Sequence, residues 1–264
     1  NGFLPLDEKD IWKIEAGRSY LVKRGDASLA AFRVPEGEVK GFHIVASHSD
    51  SPSFKVKTNP EMAVEEKYLK LNTEGYGGMI YSTWFDRCLS VAGRVVYHEN
   101  GKLKSVNVNI DEDFLVIPSL AIHMNREANK GAEFNPQTDL LPLMGSCETR
   151  GCLQKKLTEL LNVDEEDILG DDLFLYVREK GKQAGAKKEL LISPRLDDLE
   201  CVYASMEAML ETPPKDYCTL CVIFHNEEVG SHTRQGAATT SMKETRERKG
   251  ERNEKTFYCR IASR

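Results

Sequence analysis

The sequence lacks the features of membrane-spanning and exported proteins. None of its apolar runs approaches the roughly 20 residues that a transmembrane helix needs. Residues 1–10 are polar and acidic, unlike a signal peptide, and they begin without an initiator Met. The 264 residues carry a formal net charge of -6, so the surface as a whole repels phosphate backbones. We therefore expect neither a membrane nor a nucleic acid as a partner.

A disulfide framework is also lacking. The seven cysteines are scattered, and their odd number leaves one without a partner in the chain, which favours a reducing, cytoplasmic location. Cys218 and Cys221 have the C-x-x-C spacing of some zinc and redox sites, but no second ligand pair accompanies them. Because they lie in the apolar run 217–224, which is typical of a buried strand, we interpret them as core residues.

Strand-like and helix-like segments alternate near both ends of the chain. Gly25-Asp26 separates two strand-like runs, which indicates a hairpin. The run Gly41–Ala46 is apolar and short, as in a strand buried at the centre of a sheet. Strands are predicted at 19–25, 28–34, 41–46, 189–193 and 215–224, and a helix at 198–211. This alternation predicts an α/β fold in which helices cover a sheet.

The middle of the chain is richer in strands. Asn100-Gly101 between two alternating runs predicts a tight hairpin, and leucines at helical spacing predict a helix over 151–163. Further strands are predicted at 53–57, 67–71, 93–97, 103–110 and 173–177. We interpret this segment as a β-rich insertion into the α/β domain. The charged run 243–255 favours a solvated helix face over a binding tail.

Three polar clusters follow predicted buried strands, where open α/β sheets place their ligands. They are His48-x-Asp50, Asp197-Asp198 and Glu227-Glu228. Each has an ordinary structural explanation: a turn histidine, the capping of a helix start, which we favour for Asp198 alone, and an exposed glutamate pair. Taken together they suit hydrolysis with two zinc ions, which needs a bridging carboxylate, further ligands and a separate base. Composition and spacing alone leave a metal site and its absence both open.

Several segments resemble the aspartyl aminopeptidase family, a zinc metallopeptidase family that also includes a vacuolar aminopeptidase with a preference for neutral residues. The segments occur in the family's order. They are 47–57, Tyr76-Gly-Gly, Thr83–Arg87, Ile117–His123, Ser193–Asp197 and Asn226–Ser231, of which the last two are especially specific.

The resemblance implies a role for each candidate residue. His48 and Asp197 would ligate one zinc ion, and Asp197 and Glu228 the other, with a cis peptide bond after Asp197. Glu227 would be the general base and Asp50 the partner that orients His48. The site would hold two zinc ions.

The resemblance also implies a domain organisation. Residues 1–62 and 173–264 would form the metallopeptidase domain, and residues 63–172 an inserted dimerisation domain. His123 on the insertion would reach a neighbouring subunit's active site; otherwise it would be an ordinary surface-loop histidine. The dimers would build a larger homo-oligomeric cage that admits short peptides.

This sequence departs from the family's pattern in four ways. Family members continue past Arg264 and supply one more aspartate and one more histidine ligand there. They also have residues, usually a helix, before the position of Asn1. His225 stands where an acidic residue is expected, and Met79 where glycine is expected. We expect the 264-residue chain alone to be inactive.

The implied activity is release of an N-terminal residue, acidic by the family's name, from peptides. One alternative is a catalytically inactive homologue that kept the fold. Others are an aminopeptidase with neutral-residue preference and another metal-dependent hydrolase, such as a deacylase. Substrate tests with aminoacyl and N-acyl compounds separate these functions.

Overall fold

Residues from both ends of the chain form one structural unit, and the middle residues form another. The computed structural model describes residues 2–131 and 133–238. The first unit combines the residues up to Ser51 with those from Arg195 onwards, and the second unit is Pro52–Pro194. The charged run 243–255 lies outside the described residues. Within the described part of the chain, no helix has the length and apolar composition needed to cross a membrane.

The regular elements are numbered in chain order. The strands are β1 (Phe3–Leu6), β2 (Ser19–Arg24), β3 (Ser28–Arg33), β4 (Gly41–His48), β5 (Ser53–Val64), β6 (Tyr68–Tyr76), β7 (Leu89–Glu99), β8 (Lys102–Asn109), β9 (Leu143–Ser146), β10 (Ile168–Val177), β11 (Lys182–Ala184), β12 (Leu190–Ile192) and β13 (Tyr217–Phe224). The α-helices are α1 (Cys152–Leu161) and α2 (Leu196–Glu211). Short 3₁₀ helices lie at Tyr81–Trp84, Ala128–Lys130, Cys147–Thr149, Glu165–Asp167 and Glu227–Val229.

The first unit contains a mixed five-stranded sheet with the strand order β1-β2-β3-β13-β4. The predicted hairpin is confirmed, because β2 and β3 pair in antiparallel fashion. Strand β13 pairs antiparallel to β3 and parallel to β4, with Phe224 beside His48. Since parallel neighbours run in the same direction, β4 and β13 end at the same edge of the sheet.

Strand β13 is the most buried part of this sheet. Its side chains alternate between two apolar clusters, one on each face. Cys218 joins the cluster around Phe32 and Tyr20, whereas Cys221 joins the cluster that includes Met209 of α2. The two cysteines are only 2% and 3% exposed, which confirms that they are core residues.

The predicted burial of Gly41–Ala46 is wrong, although the strand itself is present as β4. Within the described residues β4 is the last strand of its sheet, with β13 as its only paired neighbour. Ile44 and Val45 are therefore 45% and 43% exposed. Their apolar character gave no information about whether another strand lies beside them.

The second unit is built on a six-stranded antiparallel sheet with the order β8-β7-β10-β5-β6-β9. The predicted hairpin joins β7 to β8, and Asn100 and Gly101 both have the positive φ angles, 52° and 72°, that such turns need. Leu153 and Leu157 of α1 are buried in the core of this unit, as their spacing predicted. The mixed α/β fold class is thus confirmed, with the β-rich part in the middle of the chain.

The two units do not divide at the predicted domain boundaries. A boundary after residue 62 falls inside β5, and one after residue 172 falls inside β10. Both strands belong to the six-stranded sheet, so the structural division lies at Ser51 and Pro194 instead. The strand predicted at 189–193 is present as β12, but it pairs with β11 in a separate two-stranded sheet of the second unit.

The positions of Cys218 and Cys221 give a first prediction. Because they face opposite sides of β13, their thiols cannot converge on one metal ion. Cys221→Ala should lower the free energy of unfolding by about 1 kcal/mol, through lost apolar burial, and leave the zinc content unchanged. Cys147→Ala, outside the buried core, is the control and should change neither quantity. Loss of zinc in the Cys221→Ala protein would contradict the core assignment.

Candidate metal centre

The shared edge at which β4 and β13 end carries the candidate site. The chain continues from β4 into Ser49 and Asp50, and from β13 into the 3₁₀ helix Glu227–Val229. The backbone N–H of Ser49 donates to the carbonyl of Phe224 at 2.9 Å, so the parallel pairing extends just beyond His48. His225, the departure from the family pattern, has its Nδ1 3.3 Å from the Ser49 hydroxyl and removes no group from the site.

Three potential ligands converge at this edge. His48, Glu227 and Glu228 each offer one nitrogen or oxygen atom, and these atoms all lie within 4.8 Å of one another. His48 and Glu228 are half-buried, whereas Glu227 is exposed. The structure thus brings the sequence-predicted ligands His48 and Glu228 together with Glu227, the residue predicted to carry the proton.

Asp197 approaches the same histidine from the start of α2. Its Oδ1 lies 3.5 Å from Nε2 of His48, and its side chain is 89% exposed. Arg195 precedes it in the left-handed region (φ 61°), and Asp197 itself has non-helical angles. The peptide bond between Asp197 and Asp198 is cis, as the family resemblance implied.

The donor set fits a zinc ion. Zinc binds imidazole nitrogen and carboxylate oxygen at about 2.0–2.2 Å, so two such ligands at a tetrahedral angle lie about 3.4 Å apart. The 3.5 Å between His48 and Asp197 matches this separation. The histidine-plus-carboxylate chemistry is also that of catalytic zinc sites, which combine these two ligand types.

Asp50 connects the segment that follows β4 with the segment that follows β13. Its side chain is 3% exposed, and its Oδ1 lies 3.4 Å from Nδ1 of His48. The backbone carbonyl of Asp50 is closer to the same nitrogen, at hydrogen-bond distance (3.1 Å). Its two carboxylate oxygens accept the backbone N–H groups of Glu227 and Glu228, at 3.1 and 3.2 Å. A buried carboxylate needs such partners, because an ion without them is costly to bury. Asp50 therefore contacts the histidine and also holds the backbone of the glutamate pair.

The crowding of carboxylates has electrostatic consequences. Burial alone lowers the pKa of His48, but the neighbouring Asp50, Glu227 and Asp198 outweigh it and raise the pKa. Burial raises the pKa of Glu228, and the negative charges of Glu227 and Asp50 raise it further. A divalent cation among these groups would relieve the repulsion between the carboxylates.

The structure corrects the interpretation of Asp198 as a helix cap. The N-cap position of α2 is Arg195, whose side chain makes no capping hydrogen bond, and Asp198 lies inside the kinked first turn with non-helical backbone angles. The Oδ2 atom of Asp198 instead accepts the backbone N–H of His48 at 3.0 Å. Sequence reasoning missed this contact, and its one signal was the second aspartate beside Asp197.

His123 belongs to the second unit. It lies in an exposed turn between Ala121 and Met124. Its role towards a neighbouring subunit stays a prediction.

Comparison with known proteins identifies relatives of the chain. A family model described as Aminopeptidase I zinc metalloprotease (M18) matches residues 1–262. A probable M18 family aminopeptidase 2 of Clostridium novyi (strain NT) is 44% identical over 255 residues, covering 94% of this chain and 59% of the relative. The chain thus spans about six-tenths of the length of this relative.

Solved structures agree with these relatives. The structure of Chaetomium thermophilum mApe1 has a TM-score of 0.81 and 28% identity, covering 90% of this chain and 58% of that one. The structure of the S. cerevisiae mApe1 dodecamer has a TM-score of 0.73 and 27% identity, covering 89% and 56%. We use "full-length protein" below for a chain that carries this sequence together with the remaining part of such relatives.

The geometry of the site predicts graded effects on metal binding. In the full-length protein, Asp50→Asn should weaken zinc affinity by roughly 10–100-fold, the usual effect of changing a group that supports the ligands. The amide has only one oxygen, so it cannot accept both backbone N–H groups of the glutamate pair. His48→Ala should weaken it more, because it removes a donor atom. Titration with zinc against a chromophoric chelator measures both.

The matched control for these variants is Asp7→Asn. The exposed Asp7 carboxylate also accepts a backbone N–H, from Lys9 at 2.9 Å, but in a different loop. It should bind zinc as the unchanged protein does. Equal affinities in all four proteins would show that His48 and Asp50 are not part of a zinc site.

Proposed function

Because the chain belongs to the M18 family of zinc metalloproteases, we propose that it supplies most of the active site of a zinc-dependent aminopeptidase. The observation that carries the proposal is the convergence of His48, Glu227 and Glu228 at the edge where β4 and β13 end, with the Asp197 carboxylate 3.5 Å from the same imidazole. The proposed reaction is hydrolysis of the first peptide bond of a peptide substrate.

We assign the ligands as follows. His48 and Asp197 hold one zinc ion, and Asp197 and Glu228 hold the other. The ions, when bound, polarise the scissile carbonyl and lower the pKa of the attacking water. The short separation between His48 and Asp197 supports their assignment to one ion.

Glu227 is proposed as the general base. It lies in the cluster, with Oε2 3.9 Å from Nε2 of His48, and its side chain is 53% exposed, so substrate and water can reach it. Its carboxylate would accept the proton of the attacking water and then donate it to the leaving amine. Asp50 fixes the backbone amide of Glu227 and so limits where this carboxylate can lie.

An acidic N-terminal residue, Asp or Glu, is the proposed substrate preference. It follows from the resemblance to the aspartyl aminopeptidase family, and a neutral preference is the alternative within the same family. Comparing aspartyl, glutamyl and leucyl anilides with an N-acyl substrate separates acidic preference, neutral preference and deacylase activity. We also propose a cytoplasmic location, which the free cysteines of the described residues support.

The 264-residue chain on its own is proposed to be inactive. His48, Asp197 and Glu228 give each of two ions at most two protein ligands, whereas a catalytic zinc ion normally has three. The family resemblance places one further aspartate and one further histidine beyond these residues. The chain covers 59% of the Clostridium novyi relative, and a catalytically inactive homologue is the second candidate function.

Self-association is proposed through the β-rich second unit. The similarity to the S. cerevisiae mApe1 dodecamer supports an assembly of several subunits. In this proposal the second unit forms dimers, the dimers form a larger cage, and His123 reaches the active site of a neighbour. Peptide substrates would then be limited by access to the interior.

Glu227→Gln tests the proposed chemistry. In the full-length protein this change should lower kcat for an aspartyl anilide by about a hundredfold to ten-thousandfold, because the amide cannot accept the proton. Zinc content, measured on the same samples, should be retained. Glu207→Gln on α2 is the control, since it removes a carboxylate outside the cluster. Unchanged kcat in Glu227→Gln would remove Glu227 from the reaction.

His123→Ala tests the proposed assembly. The change should lower kcat and leave both the zinc content and the oligomer mass unchanged, because His123 is proposed to act on substrate and not on metal. His98→Ala, in β7 of the same unit, is the matched control and should be fully active. Loss of zinc in the His123→Ala protein would make His123 a ligand and our assignment wrong.

A further inference from the structure

The backbone N–H of His48 makes a hydrogen bond at the edge of β4 that faces away from β13. Backbone N–H groups along a strand point alternately to its two sides. The N–H of Ser49 points towards β13, since it donates to the carbonyl of Phe224. The N–H of His48 therefore points to the opposite edge, which pairs with no strand of the described residues.

Asp198 meets this N–H group. Its Oδ2 accepts the N–H of His48 at 3.0 Å, in the position that the carbonyl of a neighbouring strand would take.

A second hydrogen bond joins the same two segments. The hydroxyl of Ser51 donates to the backbone carbonyl of Asp197 at 3.2 Å. The backbone of Asp197 is therefore tied to the segment 48–51 by its own carbonyl group and by the side chain of the next residue. Between the same two segments, Oδ1 of Asp197 lies 3.5 Å from Nε2 of His48.

We propose that Asp198 is a positioning residue that sets the distance between His48 and Asp197. Its carboxylate accepts the backbone N–H of His48 and so ties the first turn of α2 to the edge of β4 that faces away from β13. Together with the hydrogen bond from Ser51 to the Asp197 carbonyl, this contact holds the two candidate metal-binding side chains near each other. The inference rests on the proposed function only in that the positioned pair binds zinc. The hydrogen bond itself joins two groups of the protein.

The proposal requires that the side chain at position 198 accept one hydrogen bond from the backbone N–H of His48. The side-chain oxygen of asparagine can accept from the His48 N–H in the same place, but alanine cannot. Asp198→Asn and Asp198→Ala therefore separate the hydrogen bond from the negative charge. Glu211→Ala, at the other end of α2, removes a carboxylate from the same helix without touching β4 and is the control.

Two measurements on the full-length protein test the proposal. The first is residue-level amide hydrogen exchange of the metal-free protein, by mass spectrometry with electron-transfer fragmentation. The amide of His48 should exchange about tenfold faster in Asp198→Ala than in the unchanged protein, as expected for one lost hydrogen bond. In Asp198→Asn and Glu211→Ala it should exchange as slowly as in the unchanged protein.

The second measurement is zinc affinity, with kcat and KM determined alongside. Asp198→Ala should bind zinc roughly 10–100-fold more weakly and lose kcat at limiting zinc, with KM nearly unchanged, because the residue orients a ligand and does not touch substrate. Asp198→Asn should restore the affinity. An Asn variant as weak as the Ala variant would assign the effect to charge and overturn the proposal.

Amide hydrogen exchange of the unchanged protein provides a test that does not depend on whether a variant folds. Ala46 points its N–H to the same edge as His48, because it lies two residues earlier in β4. In the 264-residue chain, whose described residues place no strand beside this edge of β4, the amide of His48 should exchange more slowly than that of Ala46, and equal rates would overturn the proposal. If the unchanged protein binds no zinc while its His48 amide is protected, the proposed function fails and the hydrogen bond stands.

Discussion

The parallel pairing of β4 with β13 is the interaction on which the candidate site depends. Phe224 lies beside His48 in this pairing, so the residues that follow the two strands emerge next to each other. Had β4 run antiparallel to β13, His48 and Glu228 would lie at opposite edges of the sheet. The pairing is anchored in the core, because β13 is buried on both faces. A buried strand with fixed register can hold side chains to the accuracy that a metal site demands.

Hydrogen bonds beyond the strands then reduce the freedom of the loops. Asp50 binds the backbone of the glutamate pair, and Asp198 binds the backbone of His48. Both carboxylates thus accept hydrogen bonds from the backbone N–H groups of candidate site residues. The segments after β4 and β13 and the first turn of α2 are thereby connected by protein hydrogen bonds. Such preorganisation leaves less conformational entropy to be lost when an ion binds.

Much of this arrangement could be predicted from the sequence, because local patterns encode it. The apolar run before His225 and the polar residues after Ala46 indicated where strands end, and Asn100-Gly101 indicated a hairpin. Burial at the edge of a sheet is different, since it depends on what lies beside the strand. The apolar residues Ile44 and Val45 were therefore misinterpreted as central. The contact of Asp198 with His48 was missed for a different reason, because an acidic residue near a helix start is expected to cap that helix.

The electrostatics of the site argue that metal binding and stability of the first unit are coupled. The carboxylates of Asp50, Asp197, Glu227 and Glu228 lie around a single imidazole, and their mutual repulsion opposes the packing that brings them together. A divalent ion would convert this repulsion into attraction at the point where β4, β13 and α2 meet. Since the unfolded chain has no such arrangement, binding energy would appear as folding energy. The residues that give the candidate site its chemistry would therefore also couple the stability of the fold around it to the ion.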